Sequence, residues 1–304
     1  MFERLAPIAI ILVLGLLWQI LRPGGMPSAE LRRTLNTVNL YLLVPGLIFQ
    51  VIGSTELPER TWLIPLAAWI TLGLTLALSS LVYLRLLPGV AAPTRGAMIL
   101  AGSFGNGVGL AMPVIVALYG IEAAPVPILY TLFGAIPLVW TVGVATALRA
   151  AGTGSGAALW QQVLGSPPLL AVIGALAWRA TGLGYAPAVV TFLEMITAVA
   201  LVVIVFVVGL SLSLRGVRRA GALLPALAIK SLLSPLIAFA VASLLGIEGV
   251  TRAALVLTAA SASFNVGVVI ADRYGLDADL YALSVAVSVV LFVLLVPLWT
   301  AVAG

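Results

Sequence analysis

Residues 95–119 read RGAMILAGSFGNGVGLAMPVIVALY, and residues 252–274 read RAALVLTAASASFNVGVVIADRY. Each run is long and apolar enough to cross a bilayer, yet each carries Ser, Phe, Asn and Gly in its middle third. Hydrocarbon offers no water to satisfy freed N–H and C=O groups, so a helix is interrupted at that depth only where protein or a wet cavity surrounds it. In the first run Gly102, Gly105, Gly107 and Gly109 surround Asn106, and Pro113 follows. Glycine lowers the cost of non-helical backbone, and proline removes a helical hydrogen bond. In the second, Ser261, Ser263 and Asn265 precede Gly267. Two broken helices in corresponding places point to the binding site of a secondary transporter. Each break also has a plainer reading, because Gly105 and Gly109 form a GxxxG that serves close helix packing, and Ser or Asn can bond between helices.

Composition sets the environment. The chain is 62% hydrophobic and 8% charged, with a mean hydropathy of +1.23. Soluble domains are about a quarter charged, so this is an integral membrane protein. It contains no cysteine and no histidine, which excludes disulfides, thiolate or imidazole metal sites and histidine proton relays. No metal or cofactor is expected. The net charge of +5 comes almost wholly from arginines in short loops between apolar runs, a pattern of membrane topology and not of nucleic-acid binding. The N-terminal apolar run is too long for a signal-peptide core and reads as a retained first span.

About 20 apolar residues cross a hydrocarbon core. On that rule the sequence predicts an all-α membrane protein of ten transmembrane helices, near 5–21, 35–53, 62–84, 96–119, 126–148, 162–180, 188–212, 222–245, 253–272 and 280–302. The linker-like stretch RAAGTGSGAALW, 149–160, falls at the midpoint. A shift of 160 sets Pro7 on Pro167, Trp18 on Trp178 and Pro65 on Pro225, and a shift of 157 sets Arg95 on Arg252. With a small gap, Ser103, Phe104 and Asn106 fall on Ser263, Phe264 and Asn265. Residues 1–150 and 151–304 thus read as two copies of one unit. Five spans is an odd number, so the second copy enters from the opposite face, giving a 5+5 inverted-topology repeat.

Ten arginines lie in the loops after spans 1, 3, 5, 7 and 9; Arg4, Arg60, Arg179 and Arg252 lie on the opposite side. The positive-inside rule makes the first set cytoplasmic and both termini extracytoplasmic. Trp62, Trp160, Trp178 and Trp299 lie near span ends, where an aromatic belt sits.

Glu194 in span 7 and Lys230 in span 8 each lie roughly 12 Å deep at 1.5 Å per residue. An ionisable group at that depth is a functional hypothesis by default. At similar depth the two can approach each other, with Lys230 balancing an anionic substrate and Glu194 titrating or pairing with it. A structural ion pair, or a lysine that snorkels outward, is the alternative. Asp272 stands at the end of span 9 as a further candidate for coupling, whereas Asp277 and Asp279 suit capping of span 10. Asn36 and Asn39, an i, i+3 pair in span 2, suit interhelical hydrogen bonding, and Pro45 suits a kink. No phosphate-binding loop is present, since GSFGNGVG lies inside an apolar span. Nothing resembles a hydrolase triad, and an enzyme is not expected.

The runs SFGNGVGLAMPVIVALYG and SASFNVGVVIADRYG, set in ten spans, resemble the auxin efflux carrier family in its bacterial branch of small organic-anion permeases. The resemblance covers essentially the whole chain. It implies that spans 4 and 9 cross at their unwound middles, with substrate beside the crossing. It also implies elevator-type alternating access, in which spans 3–5 and 8–10 slide against a scaffold of spans 1, 2, 6 and 7. By position, Asn106 and Asn265 are then the polar residues of the crossing and Pro113 the nearby helix breaker. Ser103, Ser263, Gly105, Gly107 and Gly267 complete the expected binding region. Broken helices turn N-terminal ends toward such a site, which favours a carboxylate. The expected substrate is a mono- or dicarboxylate, auxin-like or malonate-like. A sodium-coupled symporter or cation–proton antiporter on the same crossing is the rival, and a receptor that binds without translocating is a third reading. A homodimer through spans 2 and 7, in a prokaryotic inner membrane, is the expected assembly.

Overall fold

The computed structural model describes residues 2–54, 60–152, 167–212 and 221–304. Every regular element described is helical: α1 Phe2–Leu21, α2 Ser28–Ser54, α3 Leu63–Leu86, α4 Ala92–Ser103, α5 Gly107–Tyr119, α6 Ile121–Ala151, α7 Pro167–Ala180, α8 Pro187–Leu210, α9 Leu224–Leu244, α10 Gly249–Ala260, α11 Val266–Arg273 and α12 Ala278–Ala303. Six of them, α2, α3, α6, α8, α9 and α12, are long and apolar enough to cross a membrane. Most of the 149–160 stretch, and the loop arginines 215, 218 and 219, lie outside the described residues.

Prolines shape these helices in one recurring way. Proline has no N–H, and its ring crowds the carbonyl four residues back. Ahead of Pro45, Pro113, Pro137 and Pro235, the preceding residue bonds to the carbonyl five residues back: Val44 to Asn39, Met112 to Gly107, Ile136 to Thr131 and Ser234 to Ile229. Each proline is thus accommodated by one widened turn, the π-type bulge often found at functional sites. At Pro45, where a kink is expected, the structure has such a widened turn. Asn39 and Lys230 both lie within such turns.

Packing sorts the helices into two sets. α1 lies on α8, and α2 lies on both α7 and α8. α3, α4, α6, α9, α10, α11 and α12 pack among themselves, and α5 lies between the sets, touching α1 and α8 on one side and α10 on the other. Small residues permit the closest approaches, as in membrane bundles generally. A side chain begun on Gly15 of α1 would come within 2.9 Å of the Gly209 Cα on α8. Trp299 departs from its expected place in an aromatic belt. It is buried, and its indole N–H donates to Ser231 O at 3.1 Å, fixing α12 on α9.

Capping follows the sequence reading. Asp277 accepts from the Leu280 N–H at 3.1 Å to start α12, and its other oxygen accepts from Thr94 Oγ1 at 2.8 Å, which ties α12 to the start of α4. Asp279 lies one residue inside α12.

Candidate functional site

The two polar interruptions meet. After Ser103 the backbone becomes extended, with Phe104 at φ −108° and ψ 135°, and helix resumes only at Gly107. α10 ends at Ala260, and α11 begins at Val266. Between them, the Asn106 N–H donates to Ala262 O at 2.8 Å and the Phe264 N–H donates to Phe104 O at 3.1 Å. Gly105 and Ser263 face each other as an antiparallel pair. This two-bond ladder satisfies backbone groups that a broken helix would leave bare in hydrocarbon. The paired residues lie between the ladder bonds, where antiparallel strands come closest and side chains crowd most. Glycine at 105 suits that position.

Several expected binding residues serve this framework. Ser103 Oγ donates back to Ile99 O at 2.6 Å, and Ser263 Oγ donates to Ala101 O at 2.9 Å. Ser288 Oγ accepts from the Ser263 N–H at 2.9 Å. Both serines are buried, and neither is among the residues that line the cavity described below. Gly267 lies under the Tyr281 ring, whose hydroxyl donates to Phe264 O at 3.1 Å, and Gly107 lies against Thr131 Oγ1. Pro113 stands beyond the break, seven residues into α5, because glycine and the cross-pairing open the helix earlier.

Asn106 and Asn265 do come together. Both line a cavity of about 200 Å³, walled by Val44 of α2, Ile204 and Val208 of α8, and Phe264. Asn106 Oδ1 accepts from the Gly109 N–H at 3.1 Å, capping α5. Asn265 Oδ1 is buried with no hydrogen-bond partner among the described residues. Two residues that the sequence reading placed elsewhere join them. Asn36 and Asn39 line the same cavity, and among the described residues neither makes the expected interhelical bond and the buried Asn39 Oδ1 has no partner. The i, i+3 spacing marked one polar face of α2, but spacing cannot tell a face that meets a helix from one that meets a cavity. The N-terminal ends of α5 and α11 both abut this space through Asn106, Val108, Gly109, Asn265 and Val266. Their free N–H groups carry partial positive charge.

The sequence-predicted charges separate. Lys230 is 1% exposed, and its ammonium donates to Ala259 O at 2.6 Å, at the C-terminal end of α10. Glu194 is exposed on α8, ten residues before Ile204 and hence about 15 Å along the helix from the cavity wall. The expected approach of the two does not occur, because α8 turns Glu194 out of the bundle while α9 buries Lys230. Asp272 is exposed near the end of α11.

A family model described as membrane transport protein matches residues 1–155 and 155–300. The chain belongs to this family, the auxin efflux carriers. This membership, with the apolar helices, makes it an integral membrane transport protein. A relative named only as an uncharacterized transporter, from Methanothermobacter thermautotrophicus, is 28% identical over 295 residues, covering 96% of each chain.

Proposed function

We propose that this transport protein is a secondary carrier of small organic anions and that its substrate binds in the cavity beside the paired breaks. The observation that carries the reading is the lining: two helix N-termini and four asparagine amides surround one space whose other walls are apolar. Helix N-termini attract carboxylate. A terminal amide, turned about its last bond, offers N–H donors where its oxygen now lies. Val44, Ile204, Val208 and Phe264 suit an apolar body behind the charge. Among the described residues the lining contains no arginine or lysine, which favours a monocarboxylate over a dicarboxylate. Asn106, Asn265, Asn36 and Asn39 are the proposed ligand contacts. Ser103, Ser263, Gly105, Gly107 and Gly267 support the backbone that carries them, and Pro113 supports the start of α5.

In this reading α4 with α5, and α10 with α11, are single broken spans that cross, so the chain has ten spans in a 5+5 inverted repeat. Matching contacts in the two halves support it. Arg95, at the start of α4, donates to Ala150 O at the end of α6; Arg252, at the start of α10, donates to Ala303 O at the end of α12. Gly120 follows α5 at φ +90° and Gly275 follows α11 closely at φ +67°, each just after a tyrosine. The packing sets support a scaffold of α1, α2, α7 and α8 and a transport unit of α3–α6 and α9–α12. Asn36 and Asn39 then come from the scaffold, and Asn106 and Asn265 from the unit that slides. Alternating access by such sliding, a homodimer through the scaffold, an inner-membrane location and extracytoplasmic termini complete the proposal.

A second reading has its own observation. Unpartnered amide oxygens of Asn39 and Asn265 are ligands of the kind that hold a hard cation, as a sodium-coupled symporter or a cation–proton antiporter requires. Uptake of labelled malonate, malate and indole acetate into proteoliposomes, with and without sodium and a pH gradient, separates the two. Anion uptake indifferent to sodium, and lost in Asn106→Ala with Asn265→Ala, supports the anion carrier. Sodium or proton flux that survives those changes refutes it and makes Glu194→Gln the next test.

A further inference from the structure

Lys230 is the chain's single lysine, and the cavity reading leaves it without a role. Its surroundings are unusual for a buried cation. Nζ makes one hydrogen bond among the described residues, to Ala259 O, although an ammonium has three donors. Among the described residues no carboxylate is paired with it. The charged residues on the helices packed against α9 are Arg85 of α3, Arg95 of α4, Arg252 of α10 and Asp279 of α12, all in terminal turns of their helices. The tyrosines facing the same region are engaged elsewhere: Tyr83 donates to Ala222 O, and Tyr281 donates to Phe264 O. A buried charge is costly unless paired and hydrogen-bonded, and among the described residues this one has no negative partner.

Its position indicates where that partner binds. A side chain begun on Gly105 would stand 2.6 Å from Lys230 Nζ and 2.6 Å from Ser261 Oγ. The ammonium therefore fills the space that glycine leaves at the paired break. The next residue, Asn106, lines the cavity. Cation and cavity thus flank one strand-like segment, and they are sorted as helix dipoles require. The ammonium sits at the C-terminal end of α10, while the cavity faces the N-terminal ends of α5 and α11. Within so apolar a bundle, a charge acts across that segment with little screening.

We propose that the Lys230 ammonium is the resident countercharge of the transported anion, travelling with the paired breaks so that the carrier loaded with a monoanion moves no net charge. This rests on the anion-carrier reading above. Its consequence is a division of voltage dependence between two steps. Return of the empty carrier moves one positive charge and responds to the membrane potential. Movement loaded with a monoanion does not respond, and movement loaded with a dianion carries one net negative charge and does.

The test is exchange in proteoliposomes loaded on both sides with the same labelled anion, so that only the loaded step is read, with the potential set by potassium gradients and valinomycin near neutral pH. Lactate and indole acetate serve as monoanions and malonate as the dianion. Expected for the wild type is monoanion exchange that is unchanged by potential, with malonate exchange, where it occurs, voltage-dependent. In Lys230→Met, monoanion exchange becomes voltage-dependent and its half-saturating concentration rises at least tenfold; in Lys230→Arg it stays voltage-insensitive. Voltage-sensitive monoanion exchange in the wild type overturns the assignment without any variant. So does a Lys230→Met protein that is slower or less heat-stable but still insensitive to voltage, which is what a purely structural lysine would give. Absence of exchange of all three anions by the wild type refutes the anion-carrier reading and this inference together.

Discussion

Asn106 caps a helix and, in the proposed function, contacts the substrate, and one substitution keeps the first role while reversing the second. Its Oδ1 caps α5 by accepting from the Gly109 N–H at 3.1 Å, and its amide faces the cavity. Asn106→Ala removes both. Loss of an asparagine cap costs about 1 kcal/mol, and loss of a hydrogen bond to a charged ligand costs about 1.5–3 kcal/mol. The variant should lose a little heat stability and weaken anion uptake by roughly ten- to a hundredfold. Asn106→Asp keeps the cap, since a carboxylate accepts equally well at a helix N-terminus. It also sets a negative charge beside the bound anion. At about 4 Å and an effective dielectric constant of about 20, the repulsion is about 4 kcal/mol, close to a thousandfold in affinity. The assay pairs the half-saturating concentration for labelled lactate with the melting temperature in detergent. Asn106→Asp should melt near the wild type and take up almost no anion. Wild-type uptake by Asn106→Asp refutes anion binding at this cavity, and sodium uptake gained by the same variant transfers the argument to the cation reading.

Asn39→Ala removes a buried amide oxygen that has no partner among the described residues, so it should leave melting unchanged or slightly raised while lowering uptake; a fall in both would assign Asn39 to the fold alone. Ser288→Ala strips the buried Ser263 N–H of its acceptor, at a cost of about 1–3 kcal/mol, read as a lower melting temperature. Gly105→Ala forces a methyl against the ammonium and Ser261 Oγ, and should slow uptake much as Lys230→Met does; unimpaired uptake would place Lys230 outside the site. Glu194→Gln should leave anion uptake unaltered, because the exposed side chain lies far along α8 from the cavity wall. A large loss there would restore Glu194 as a coupling group.

The breaks were legible because their signal is local. Glycine, serine and asparagine inside an apolar run have few uses in hydrocarbon, and residues 104–106 and 261–265 are where helix gives way. The widened turn before Pro45 in α2 and the Asp277 cap were local in the same sense. What failed depended on neighbours from distant parts of the chain. Trp299 near a span end reads as a belt residue, yet α9 supplies an acceptor that draws it inward. The carbonyls that accept from Ser103 and Ser263, on their own and the opposing segment, are likewise set by packing and carry no local signal.

By itself the sequence determined the solvent, the helical class, the family and the places where two helices break, because burying backbone in hydrocarbon constrains every residue of a span independently of its neighbours. Only the tertiary structure decided that the breaks pair with each other, that Asn36 and Asn39 share a cavity with Asn106 and Asn265, and that Lys230 sits behind Gly105 while Glu194 faces out. Those facts depend on how helices are rotated about their axes. Rotation is set by packing among helices far apart in the chain, and periodicity along a single helix does not record it.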